Sequence, residues 1–428
     1  MNSNKSIFGR LKLIGDNLAV MRIRDVRVYM TGQLVNLLGD WMQQTAQAWV
    51  VWEMTHRATA LGIVGFLSQI PFFIFGPWVG VFADRFNKRT ILLVTQILAA
   101  LLAVILAVLI QTHWLQLWHI YILAFLLGTV TAFNVTAEQA FIGDIAGTGN
   151  IHQAITLNNT VNQLTRLTGP ALAGWLIASI GTAAAFWFNG TTVVVSIICI
   201  LMICSKRATE TKTTGGLQQF KEGLTFLKSQ QLLRLIILFA LIQTFFGMSI
   251  VQLLPAFASI TLNGDARTLG SLMGAAGAGA LVGLVFVLPF VQQIKKPCMA
   301  IAGAVVWAGL WYISFSFSRS LPLAMLCQFM ASLGAANVIT MSLGLAQELT
   351  PAPMRARILS TLMMIIFGLQ PAASYLVSRS ADKIGISNMM IVNGTVMVIV
   401  PVLLIALPQL RKLNAKAKMP IAVSRWWH

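Results

Sequence analysis

Twelve stretches of this chain are each predominantly apolar over about 20 residues, the length a helix needs to cross the hydrocarbon core of a bilayer. They lie near 28–52, 60–83, 90–111, 115–137, 155–179, 183–204, 233–261, 268–291, 298–318, 321–346, 356–378 and 387–408. Lipid offers no hydrogen bonds, so a spanning backbone must satisfy itself, and runs of this length read as α-helices. The expected fold is an all-α membrane protein with twelve transmembrane helices. Only 10% of residues are charged and 57% are hydrophobic, whereas soluble chains run near 25% charged. That balance excludes an ordinary soluble enzyme, a disordered chain and a disulfide scaffold. Residues 1–27 are polar and basic, so no cleavable signal peptide is expected.

The cations set an orientation. With the N-terminus in the cytoplasm, 24 of the 30 Lys and Arg fall on cytoplasmic segments, 5 on outer loops, and Arg166 inside a span. This is the bias expected of an even number of spans with both ends inside. A cytoplasmic (inner) membrane with both termini on the cytoplasmic side is the expected location. The net charge of +18 then faces anionic lipid headgroups, and nucleic acid is not needed as a partner.

The chain also repeats itself. Asn134-Val135 recurs as Asn337-Val338, Ile180-Gly181 as Ile384-Gly385, and Asn189-Gly190-Thr191 as Asn393-Gly394-Thr395. Pro170 matches Pro371, and Leu61-Gly62 matches Leu269-Gly270. The offsets cluster between 201 and 208 residues, which suggests two parallel halves, one of the transporter architectures. The expected organisation is a basic cytoplasmic N-terminus (1–27), a six-helix bundle (28–204), a cytoplasmic linker (205–232), a second six-helix bundle (233–408) and a basic cytoplasmic tail (409–428).

Between the second and third spans stands Gly80-Val81-Phe82-Ala83-Asp84-Arg85-Phe86-Asn87-Lys88-Arg89. Gly80 permits close helix approach, and Asp84 with Arg85, Lys88 and Arg89 makes a compact charged turn able to pair with the facing half. This turn resembles the signature loop of the major facilitator superfamily, with Asn87 where that loop usually has a second glycine. Asn tolerates left-handed backbone, so the turn stays plausible. The resemblance implies two pseudo-symmetric six-helix bundles, alternating access, and a gating role for Gly80, Asp84, Arg85, Lys88 and Arg89. The corresponding loop around Lys295-Lys296-Pro297 has lost the pattern. In the fifth span, Arg166-Leu167-Thr168-Gly169-Pro170 followed by Gly174 is similar to the Gly-Pro motif of the superfamily's exporters and predicts a bent, tightly packed helix. Leu38-Gly39-Asp40-Trp41, the Arg-x-x-Gly-Pro pattern and Arg355-Ala356-Arg357 resemble the branch of siderophore exporters and macrolide efflux proteins. Proton-coupled export of a siderophore or drug-like molecule is what that branch implies. Uptake of such a molecule, lysophospholipid flipping and a non-transporting receptor or scaffold are the alternatives.

Two spans carry a charge far from their ends. Asp40 and Arg166 each lie about 11 residues into their spans, roughly 17 Å deep at 1.5 Å per residue. A lone charge there is costly, so mutual pairing, directly or through water, is expected. Asn36, Asp40, Gln43, Gln44 and Gln47 share one helical face with Gln33, and Asn162 and Arg166 share another with Asn159 and Gln163. These amides need a partner helix or a wet cavity, which makes them the candidate substrate and proton pathway. Asn134, Gln243, Gln252 and Asn337 are further candidates. Protonation of Asp40 would weaken its pair with Arg166 and bias one conformation. Glu138 reads as an interfacial charge, with a second proton role as the alternative.

Other chemistry finds no footing. The sequence has no phosphate-cradling Gly-rich loop and no His-Glu-x-x-His site. Cys199, Cys204, Cys298 and Cys327 form no Cys-x-x-Cys pair and read as packing residues. No catalytic residue, metal or cofactor is expected, and a monomer is the expected state. The expected partners are a small-molecule substrate, a proton and membrane lipids.

Overall fold

The computed structural model describes residues 20–147, 149–203, 225, 227, 230–291, 294, 296–351 and 354–406, with backbone alone for 76–85, 356, 357 and 360. Every regular element among the described residues is helical. A 3-10 turn, Val20–Arg22, leads into α1 (Arg24–Thr55). The chain continues through α2 (Ala58–Arg85), α3 (Lys88–Gln111), α4 (Leu117–Ala146), α5 (Ile151–Ile180) and α6 (Thr182–Leu201). After the linker come α7 (Gln231–Ile260), α8 (Ala266–Val291), α9 (Pro297–Ser316) and α10 (Leu321–Leu349). α11 runs as Arg355–Gly368 and Gln370–Ile384, and α12 is Ile386–Ala406. The first helix thus begins four residues before the expected span, at Arg24, and the linker and tail lie almost wholly outside the described residues.

Ten helices among the described residues are long and apolar enough to cross a membrane: all of these except α1 and α5. Those two are 32 and 30 residues long, so length is not what they lack. They are the helices that carry Asp40 and Arg166 with their amides, and polar side chains dilute their hydropathy.

Short turns force successive helices to run back and forth. One end of the molecule, here the near end, therefore holds the start of α1 and the turns α2–α3 and α4–α5. The far end holds the turns α1–α2, α5–α6, α7–α8 and α11–α12. The repeated Ile-Gly pairs sit at two of those far turns. Gly181 and Gly385 adopt φ of 92° and 91°, a conformation that a side chain would strain, so the repeat preserves a turn and not just a composition.

Most helix packing falls within α1–α6 or within α7–α12, although α11 lies chiefly against α2. Two seams join the sets: α5 against α8, and α2 against α11. Both are built on small residues. Gly270 faces the Pro170 carbonyl, Gly174 faces Ala266, and Gly277 lies over Leu167, so close that an added Cβ would approach the facing helix's backbone to between 2.5 and 2.6 Å. On the other seam, Gly62 meets Ser374 and Ser378, and Gly65 meets Gln252. The matched pair Gly62 and Gly270 thus serves corresponding places, one in each seam. Farther along α8, Gly279 and Gly283 pack on the Phe329 and Leu333 carbonyls of α10, so the α8 glycines serve backbone-close packing.

Two helices carry wide turns. The segments Gln243–Met248 in α7 and Gly283–Val287 in α8 are π-helical, a form that loosens the hydrogen-bond ladder locally. Asn393 of α12 inserts there, its amide donating to the Phe246 carbonyl at 3.1 Å.

Candidate functional site

Asp40 and Arg166 stand near the midpoints of α1 and α5, as their sequence positions imply, but they form no direct ion pair. Lys88–Asp144 is the one ion pair among the described residues. The Arg166 guanidinium instead lies over the Trp41 ring, 5.7 Å from its centroid. The reason is helical geometry. Consecutive residues point about 100° apart, so the face of α1 that turns Trp41 toward α5 turns Asp40 away. Gly169, one turn beyond Arg166, lets α5 approach, since its missing Cβ would reach 2.6 Å from the Trp41 Cβ. α5 runs unbroken from Ile151 to Ile180 through Pro170. Gly169, Pro170 and Gly174 therefore mark where α5 meets α1 and α8.

Around Arg166 the α5 surface is polar, and its exposure rises toward the near end. Asn162, Gln163 and Arg166 are half-buried and Asn159 is exposed, although α1 and α8 flank this helix at the depth of Arg166. Toward the far end the space closes. Thr45 reaches Met273 across the two sets at 3.7 Å, followed by the glycine seams. At the far surface, Asp382 of α11 accepts the amides of Ala58 at 2.7 Å and Thr59 at 2.8 Å, along with the Thr59 hydroxyl. Those amides belong to the first turn of α2, where free N–H groups and the helix dipole attract an anion. A cavity of about 360 Å³, lined by Trp52, His56, Ile260, Asp382 and Asn388 among others, sits beside this contact. The two sets are therefore tied together from the far surface to mid-depth.

The polar stripe of α1 divides among its neighbours. Asn36 donates to Asp40 at 3.2 Å, and Asp40 and Gln44 are exposed with Gln47 half-buried. Gln43 is buried and accepts a hydrogen bond from Asn189 of α6 at 2.5 Å. Gln33 donates to Glu138 of α4 at 2.9 Å, and Asn158 of α5 donates to the same oxygen at 2.8 Å. Glu138 is thus no interfacial charge. It is 9% exposed and joins three helices through hydrogen bonds that a buried carboxyl requires.

The remaining candidates scatter. Asn134 donates to Thr95 of α3 at 2.9 Å, and Asn337, fully buried, returns its amide to the Leu333 carbonyl of its own helix. Gln243 is buried at the start of the α7 π-turn, and Gln252 rests against Gly65 in the α2–α11 seam. Among the described residues, none of these four hydrogen-bonds to Asp40 or Arg166. In the charged turn, Gly80, Asp84 and Arg85 lie outside the described side chains, as do Ala356 and Arg357. Lys88 pairs with Asp144 of α4 at 2.9 Å. Arg89 donates to the Ile200 and Leu201 carbonyls that end α6, at 3.1 and 2.7 Å. Asn87 caps α3. Among the described residues, these two cations bind their own set of helices, not the facing one expected from the sequence.

A family profile described as transmembrane secretion effector matches residues 16–427. The chain belongs to this family, within the major facilitator superfamily. The staphyloferrin A transporter of Staphylococcus aureus is 23% identical over 369 residues, covering 86% of this chain and 92% of that one. Macrolide efflux protein A of Streptococcus pyogenes is 21% identical over 90% of this chain and 96% of its own. A Bacillus subtilis protein named uncharacterized MFS-type transporter YfiS is 26% identical over 210 residues, and the chain spans 49% of that relative's length. Among solved structures, a bacterial homolog of the human lysosomal transporter Spinster, inward-facing and unoccupied, superposes with a TM-score of 0.70 at 14% identity, covering 92% of this chain and 97% of that one. The nucleoside transporter NupG gives 0.70 at 10% identity over 89% and 98%. At these identities the likeness concerns the fold alone. The protein is a transporter of the major facilitator type and not an enzyme.

Proposed function

We propose that this transporter exports a small siderophore or drug-like molecule in exchange for protons, by alternating access between two six-helix halves that together cross a bacterial cytoplasmic membrane twelve times. The observation that carries this reading is the open polar face of α5. Along that face exposure rises from half-buried Arg166 and Asn162 at mid-depth to exposed Asn159 nearer one end, while seams and the Asp382 contact tie the other end. Access from one side only, at the level where the helices are most polar, is the ground state an alternating-access cycle needs. α1 and α5 do not count as spans on hydropathy alone, and their polar faces against neighbouring helices explain why they still belong inside the bilayer. By the positive-inside bias, the open near end faces the cytoplasm and both termini lie there.

Asp40 is the group assigned to the proton. It is an exposed carboxyl at mid-helix that accepts from the Asn36 amide, and a proton there removes a charge that costs several kcal/mol in lipid. The relatives named as a siderophore transporter and as drug efflux pumps support the cargo class. The test is flux in proteoliposomes carrying an imposed pH gradient, with a radiolabelled siderophore and a macrolide as trial cargoes. Gradient-dependent movement of either supports the reading, and a chain that binds cargo but moves nothing under any gradient is a receptor instead.

A further inference from the structure

Arg166 is a permanent cation near the midpoint of α5, and among the described residues no carboxylate lies within 4 Å of it. Charged groups at such depth are ordinarily paired with one another or with backbone carbonyls. Among the described residues Arg166 has no hydrogen-bond partner, and its one directional contact is with the Trp41 ring. That stacking holds the guanidinium plane while leaving its N–H fork unspent.

The surroundings give the free fork a direction. Gly169 brings Trp41 against one side of the helix, and Leu167 meets Gly277 of α8 on another. Between these two flanks lie Arg166 and, successively nearer the open end, Asn162 and Asn159. A molecule arriving from the near end passes two amides and reaches a guanidinium backed by an indole, at the level where the two sets close.

We propose that Arg166 is the docking point for an anionic group of the cargo, a carboxylate or a planar oxyanion of the same shape, with Trp41 as the platform that orients the fork. The inference rests on the transport reading and narrows its substrate class: the cargo carries a negative charge at one end. Asp40, turned to another face of α1 and held by Asn36, is separate from this contact. The bound anion supplies the carboxylate partner that none of the described residues gives Arg166.

The probe is benzoate, a planar carboxylate, against benzamide, its neutral isostere. Each is added to the purified full chain in detergent micelles while the melting temperature is read. Benzoate is expected to raise the melting temperature in a saturable way and benzamide to leave it unchanged. R166Q should abolish the benzoate response. R166K, which keeps the charge but loses the fork, should reduce it at least twofold, and it decides the matter if R166Q does not fold. G303A on α9, where an added Cβ meets nothing within 4 Å, should retain the response. An equal response to both probes overturns the assignment, as does an unaltered response in R166K and R166Q or a loss in G303A equal to that in R166Q. The flux assay is separate. A chain that transports but lacks an Arg166-dependent benzoate response refutes the anion anchor alone, and a chain that binds benzoate through Arg166 but never transports refutes the transport reading alone.

Discussion

Asn189 on α6 donates its amide to the Gln43 side chain on α1 at 2.5 Å. Its mate in the repeat, Asn393 on α12, does the corresponding thing in the second set: it donates to the Phe246 carbonyl on α7 at 3.1 Å. The donor and acceptor are 146 residues apart in one case and 147 in the other. The repeated Asn-Gly-Thr is thus a buried clamp between the last and first helices of each set. The two copies have diverged in one respect. The first clamps a side chain on regular helix, and the second clamps a main-chain carbonyl freed by a π-turn.

This clamp makes a prediction. Asn189→Ala leaves the Gln43 oxygen buried without a donor, and stranding such a group costs about 1–3 kcal/mol. N189A should lower the melting temperature of the purified protein, and N189A/Q43L, which removes both polar groups, should recover most of the loss. A double variant as unstable as the single one would contradict the clamp.

Glu138 gives a second. Two amides from α1 and α5 converge on one of its oxygens. Glu138→Gln keeps an oxygen in place to accept them, while Glu138→Ala strands Gln33 and Asn158 together. E138A should therefore be less stable than E138Q by roughly 1–3 kcal/mol, read as a lower melting temperature in the same detergent. Equal stability of the two variants would mean that the amides find other partners.

How much of this was legible beforehand depends on which coordinate is asked about. Depth was legible, because position along a helix is position in sequence, and Asp40 and Arg166 do stand at mid-helix. Azimuth was not. A 100° step decides whether Asp40 or Trp41 meets Arg166, and the sequence carries no record of how α5 is rolled against α1. Glu138 was misplaced for a different reason. The apolar run ends near 137, but α4 continues to Ala146, so a carboxyl that reads as interfacial is eight residues inside the helix. Hydropathy marks where lipid contact stops, not where the helix does. The Asp382 contact left no pattern at all, since its acceptor and donors are more than 320 residues apart.

The α5–α8 seam is testable by size. A Cβ at Gly277 would come within 2.6 Å of the Leu167 Cα, and backbone cannot yield as a side chain can. Gly277→Val is expected to force α5 and α8 apart and abolish transport, with a fall in melting temperature of several degrees. Gly303→Ala on α9, where an added Cβ would meet nothing within 4 Å, serves as the control and should be silent in both assays.

The far-end contact leads to the last prediction. Asp382 is exposed but aimed at the first turn of α2, and an anion at a helix N-terminus contributes about 0.3–1 kcal/mol at such a surface. Removing it should not unfold the protein. It should instead weaken the tie between α2 and α11 and let the far end open more often, by up to about fivefold for 1 kcal/mol. Asp382→Ala, made with a reporter cysteine at Gln47 in a background lacking the native cysteines, should be labelled faster by a membrane-impermeant maleimide added on the far side. Asp382→Glu, which keeps the charge but lengthens the reach, should fall between. High salt screens an exposed charge, so it should speed labelling of the parent and leave D382A unmoved. If salt accelerated both alike, the gain would come from elsewhere in the seam, and the carboxylate on the α2 terminus would be an ornament of the closed state and not its latch.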